Sequence, residues 1–143
     1  MAMTQNTDVC TLTVGSLFEA QARYSPHRAA IEWLGGLRSY AELNYRADCL
    51  AALFLEMGVF QGDRISLLAR NVPEYLEVLI AAAKIGSIVC CLNGRMNEAD
   101  IVHCIELTSP KILIYQEAFK GSIRIDKLNN LENDLSVAFK SIP

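Results

Sequence analysis

Cys90, Cys91, His103 and Cys104 crowd one stretch of the chain, and thiols and imidazoles are the soft donors that hold zinc. Their spacing argues against one shared ion. Successive residues of a strand point to opposite faces, and adjacent residues of a helix do not share a face either. Small buried apolar side chains are the expected role, with no metal site. His27 and His103 are the only histidines, and neither has a nucleophile at a recognisable spacing that would make it a general base. His27 follows Pro26 in a turn, and His103 sits off the apolar face of its helix. Glu74 and Glu77, three apart, could share acid–base work, but that spacing is equally that of solvated helix carboxylates. Arg95 falls just past the C-terminal end of a strand, where ligands of open α/β sheets bind. It is read as a contact for a ligand or as a loop anchor.

Phosphate chemistry would need a glycine-rich turn between strand and helix, where backbone amides meet the anion. Gly35-Gly36 lies in a hairpin, and the candidate turns Arg70-Asn71 and Asn93-Gly94-Arg95 hold one glycine between them. Neither GxGxxG nor GxxxxGK[ST] occurs in the 143 residues. The residues alone therefore define no catalytic, cofactor-binding or metal site.

The elements that would position these groups are well punctuated. Thr13 caps a helix whose apolar face is Val14, Leu17, Phe18 and Ala22, ending before Ser25-Pro26. Ala29–Leu34 reads as a short strand, and Ser39 with Glu42 forms a capping box. The helix that follows carries Leu43, Ala47, Leu50, Phe54 and Met57, and Gly58 stops it. Strands are expected at Arg64–Ala69, Ile88–Leu92 and Lys111–Tyr115, alternating with helices capped by Asn71 and Asn97. Asn71 would place Pro73 in the first turn and Glu74 at the third helical position. The apolar stretch Leu76–Leu92 contains Glu77, Lys84 and Gly86, so it reads as a buried helix and a buried strand, not a membrane span.

Short links between alternating strands and helices imply parallel pairing and right-handed crossovers. The expected fold is α/β, a partial doubly wound parallel sheet flanked by helices. Beyond Gln116 the pattern weakens. Glu117–Asp126 is a short helix or a loop, Leu131–Phe139 has helical spacing, and no closing strand is expected.

Composition narrows the class. The 143 residues are 52% hydrophobic and 20% charged, too apolar for disorder. Thirteen basic against sixteen acidic side chains give a net charge of −3, which argues against nucleic acid as a partner. The mean hydropathy of +0.22 suggests a surface covered by other protein, or self-association. Five cysteines without a framework spacing and a polar start, MAMTQNTDVC, point to a reducing cytoplasm and no transmembrane segment.

An ordered set of segments resembles the start of the adenylate-forming superfamily, most closely its acyl-CoA synthetases and acid–CoA ligases. They are Ser39–Asn44, Gly58–Arg64, Asn71–Tyr75, Lys84–Ser87, Leu92–Arg95 and Ser109–Ile114. The resemblance covers roughly Leu12 to Tyr115, with residues 116–143 as a divergent tail, and Cys91 stands where relatives often carry proline. It implies ATP-dependent activation of a carboxylate as an acyl-adenylate, then transfer to coenzyme A, with ATP and Mg as further requirements of the full-length family. The phosphate loop, ribose-binding aspartate and small C-terminal domain of that family have no counterpart in these residues. The expectation is an incomplete piece of the large domain, not catalytically competent alone, partnered by the remainder of the ligase domain. The alternatives are a non-catalytic interaction subdomain docking on a partner protein, or an unrelated small α/β binding protein.

Overall fold

The computed structural model describes residues 12–116 and 136–139. The chain opens with α1 (Val14–Tyr24), a hairpin of β1 (Ala29–Trp33) and β2 (Gly36–Ser39), and α2 (Tyr40–Glu56). It continues with β3 (Arg64–Leu68), α3 (Pro73–Ile85), β4 (Ile88–Cys91), α4 (Glu98–Thr108), β5 (Ile112–Gln116) and β6 (Ser136–Phe139). The second sheet has four parallel strands in the order β4-β3-β5-β6.

Local chemistry sets most boundaries. Thr13 Oγ1 accepts from the Ser16 amide at 3.1 Å while Ser16 Oγ accepts from the Thr13 amide at 3.0 Å, so α1 starts on a reciprocal cap. Ser39 and Glu42 form the expected capping box of α2, and Asn97 caps α4 through the Asp100 amide at 2.9 Å. Gly86 ends α3 at φ 72°, a conformation that costs a side-chain-bearing residue. Its carbonyl accepts from the Gly62 amide at 2.9 Å, fixing the turn before β3 against the one before β4.

The crossovers explain the two-sided core. β4 and β5 flank β3 on opposite sides, so crossovers of one hand must place their helices on opposite faces. Val78, Ala81 and Ala82 of α3 pack with Ile65, Leu67, Ile112 and Ile114, beneath Leu43, Ala47 and Phe54 of α2. Ile101 and Ile105 of α4 pack with Leu68, Leu113 and Tyr115 on the other face. The alternation of β5 thus sends its odd and even residues to different cores.

Charged side chains lock the helical layer. Glu77, 3% exposed, accepts from Arg38 Nη1 and, at 2.6 Å, from Arg46 Nε. Arg38 also lies over the Trp33 ring, 5.2 Å from its centroid. Lys84 sits between Glu19 of α1 and Asp48 of α2, 2.7 Å from each carboxylate. α1 meets α3 at Gly15, where a Cβ would stand 3.0 Å from Lys84 Cα and 3.1 Å from the Ala83 carbonyl.

Several expectations are corrected. Val14 and Leu17 are exposed, because the close approach at Gly15 rotates α1 to bury Gly15 and Ala22 with Phe18 half-buried. Asn71 does not cap α3. Proline forces the residue before it into extended backbone, so Val72 (φ −116°, ψ 156°) takes the cap position and Glu74 becomes the second helical residue. Glu77 is not a solvated carboxylate but the buried centre of an arginine pair. β4 is not a buried strand: it is an edge strand of the described sheet, and Ile88 is 51% exposed. A fourth parallel strand does follow β5, because Ser136–Phe139 pairs along its outer edge where a helix was the expected reading. A short apolar run fits either period, and an open neighbouring edge decides for the strand. The expected helix or loop at Glu117–Asp126 lies outside the described residues.

Two outcomes follow from this packing. Gly15→Val should destabilise the protein by about 1–3 kcal/mol in urea denaturation, since the added methyls meet backbone that cannot rotate away. Hydrogen bonding and then charge from Lys84 hold the Glu19 carboxyl below its ordinary 4.5. A lowered carboxylate stabilises fully above that value and loses its effect as pH falls through the folded-state value. Glu19→Gln should therefore be less stable than the parent at pH 7, by less than about 1 kcal/mol, since Glu19 is part-exposed and Lys84 keeps Asp48 as a partner. Thermal melts of the two proteins should converge below pH 4.5.

Candidate functional site

In a doubly wound sheet the ligand crevice opens where neighbouring strands send their connections in opposite directions. Here that point lies between β3, which leads to β4, and β5, which pairs with β6 on its other side. A crevice of about 40 Å³ opens there, lined by Leu67, Ala69, Tyr115, Gln116 and the first turn of α3. Gln116 Oε1 accepts from the Arg70 amide at 3.1 Å, tying the end of β5 to the turn after β3. Tyr75 reaches the crevice from α3, and its phenol is pushed up to about 12 by its hydrogen bond with the Cys91 thiol and then by burial. At neutral pH this hydroxyl is a hydrogen-bond donor and not a base.

A wider groove of about 360 Å³ adjoins it, between the β1–β2 hairpin and the start of α3. Ile31, Trp33, Val72 and Leu76 line it, with Glu32 and Asn71 at its polar margin. Val72 and Tyr75 line both hollows, so the two are neighbours across the start of α3.

The residues singled out by type do not assemble. His27 and His103 are both exposed, one before β1 and the other on α4. Cys90 is half-buried and Cys91 exposed at the end of β4, while Cys104 lies on α4. Among the described residues, no group of three or more His, Cys, Asp or Glu could hold a metal ion. Arg95 is exposed in the β4–α4 loop, where its amide donates to Asn93 Oδ1 at 3.0 Å. Of the candidates, only Glu74 lines the crevice; Glu77, one turn further along α3, is taken by its arginines. The sequence does not single out Tyr75 or Gln116, which also line the crevice. Their alternation with apolar neighbours marks them as boundary residues, but nothing local signals that β3, β5 and α3 converge on them.

This crevice does not suit a nucleotide phosphate. Its lining is mostly apolar, Glu74 brings negative charge to the helix end where an anion would sit, and Val72 offers no hydrogen-bonding side chain. The described glycines with positive φ are Gly36, Gly58, Gly62 and Gly86, none of them between β3 and α3.

The topology is that of a partial doubly wound parallel sheet flanked by helices, with an apolar crevice at its switch point. Residues 18–141 match the family model for AMP-binding enzymes, and the chain belongs to that family. It is 34% identical over 124 residues to the acyl-CoA ligase sidI of Beauveria bassiana, covering 85% of this chain and 22% of that protein. It is 35% identical over 102 residues to a feruloyl-CoA synthase of an Amycolatopsis species, covering 71% of this chain and 21% of that protein. The chain thus spans about a fifth of the length of these relatives. A structure described as a long-chain-fatty-acid CoA ligase of Rhodopseudomonas palustris shares the fold, with a TM-score of 0.83 at 23% identity. That match covers 91% of this chain and 33% of the other. The N-terminal domain of FACL13 from Mycobacterium tuberculosis does so at 0.79 and 22% identity, covering 91% and 34%. No helix among the described residues is long and apolar enough to cross a membrane.

The cap position of α3 gives a direct test of this geometry. Val72→Asp should raise stability by about 0.5–1 kcal/mol, because an aspartate there accepts the first-turn amides that valine leaves without a side-chain partner. Thermal unfolding at pH 7 measures it.

Proposed function

We propose that these residues are the opening part of the large domain of an acid–CoA ligase, an enzyme that activates a carboxylate with ATP as an acyl-adenylate. The match to the AMP-binding family over residues 18–141 carries this reading. Residues 1–143 belong on this view to one domain, whose remaining chain is their partner. The part played here is architectural. β3, β4 and β5 start the parallel sheet, the two ion clusters hold α1, α2 and α3 on one face, and the strand ends present the crevice. ATP, Mg and coenzyme A are then handled by residues beyond these, since the crevice does not suit phosphate. The acyl or aryl nature of the carboxylate follows the relatives, an acyl-CoA ligase and a feruloyl-CoA synthase.

Pyrophosphate exchange tests it. The 143-residue protein, offered ATP, Mg and a panel of aliphatic and aromatic acids, should exchange no pyrophosphate into ATP above a no-protein control. Acid-dependent exchange that Glu74→Gln or Tyr75→Phe abolishes would overturn the architectural reading.

A further inference from the structure

We propose that the open edge of β4 pairs with the same edge of a second copy of this chain, antiparallel, about a two-fold axis at Cys90. This goes beyond the family reading and does not rest on it. The amides of Ile88 and Leu92 donate to the carbonyls of Asp63 and Leu67, each at 2.8 Å, so these residues turn their backbone groups toward β3. Backbone direction alternates along a strand. Val89 and Cys91 therefore turn theirs the other way, to the side where the described sheet has no further strand.

Edge strands that stay single are guarded by a charge, a proline or a bulge. Ile88-Val89-Cys90-Cys91 has no charge and no proline, and it pairs with β3 residue for residue without a break. Its Ile88 is 51% exposed. The strand is also complementary to itself. With the axis at Cys90, Val89 lies opposite Cys91 of the second copy, and Cys91 opposite its Val89. Each such pair exchanges both of its N–H···O bonds, so every outward backbone group of the strand gains a partner. Neighbouring registers do worse. An axis at Val89 would set Cys91 against Ser87, whose amide already donates to Ala82 at 3.0 Å. An axis at Cys91 would set Val89 against Asn93, whose carbonyl already accepts from Met96 at 3.0 Å. Side chains agree with the Cys90 register. Ile88 comes opposite Leu92 and Ser87 opposite Asn93, so the exposed isoleucine gains an apolar neighbour and no like charges meet. Any other chain would have to bring a matching uncharged edge, which a second copy supplies by symmetry.

The register places Cys90 against Cys90 at a non-hydrogen-bonded position, where the Cα atoms are about 4.5 Å apart and within reach of a disulfide. The two Cys91 residues are diagonal neighbours, roughly 7–8 Å apart and outside that reach. Sedimentation of the full 143-residue chain under reducing conditions should show a dimer with a Kd in the micromolar range. Cys91→Pro removes an outward amide and no bond to β3, and Ile88→Lys puts a charge on the edge. Each should raise the Kd by at least about tenfold. Ile88→Lys, at a side chain already half in solvent, decides the matter if Cys91→Pro does not fold. Leu34→Asp, at the fully exposed hairpin tip, should leave the Kd unchanged. Diamide, which takes the two electrons and two protons of a thiol pair, should link a variant whose sole cysteine is Cys90 into a covalent dimer. A variant whose sole cysteine is Cys91 should stay unlinked. A parent that is monomeric at about 100 μM would overturn the proposal. So would a dimer indifferent to both edge variants, open-ended polymers in place of a dimer, or linkage through Cys91 as fast as through Cys90.

Discussion

A carboxylate removed from water must be neutralised on the spot, and Glu77 imposes that condition on the helical layer. Its two cations come from different elements, Arg38 from the hairpin and Arg46 from α2, while Glu77 itself belongs to α3. Satisfying one side chain therefore fixes three elements relative to one another. The desolvation cost is large, and the attraction offsets it only with close geometry, so the cluster acts more as a specification of register than as a source of net stability. Trp33 beneath Arg38 extends the same constraint to the far strand of the hairpin.

Seven residues along α3, Lys84 repeats the device with inverted charge, one cation between the carboxylates of Glu19 and Asp48. The two clusters straddle an α2–α3 contact that is otherwise apolar, with Val78, Ala81 and Ala82 between them. Small residues at this contact let the helices approach, and the charged ends prevent them from sliding. Gly15 has the same role for α1, whose backbone touches that of α3. Among the described residues, the helix that covers the opposite face of the sheet is α4, through Ile101 and Ile105.

That asymmetry relates the fold to its family. The densely locked layer builds the frame, and the crevice lies at the strand ends beyond it, where α3 begins without a side-chain cap. The crevice's one perturbed titrating residue, Tyr75, is driven further from ionisation by the Cys91 thiol and by burial. The architectural part proposed for these residues agrees with a chain that spans about a fifth of the relatives it matches.

Local signals in the chain were enough for α1 to α4, the parallel pairing of β3, β4 and β5, and the family. Caps, glycine stops and apolar runs act over a few residues, and Ser39 with Glu42, Gly86 and Asn97 do so as their types require. The candidate site was scarcely legible, because its lining comes from the hairpin, α3, β3 and β5, which meet only in three dimensions. The same holds for Glu77, whose spacing from Glu74 suggested a solvated pair until the fold brought Arg38 and Arg46 to it. Val72 displaced Asn71 from the cap because a neighbouring proline constrains backbone more strongly than a capping side chain attracts it. Residues 136–139 became a strand because β5 offered an open edge. Local energies belong to the sequence, whereas burial and charge pairing depend on partners distant in the chain, so only the tertiary structure assigned them.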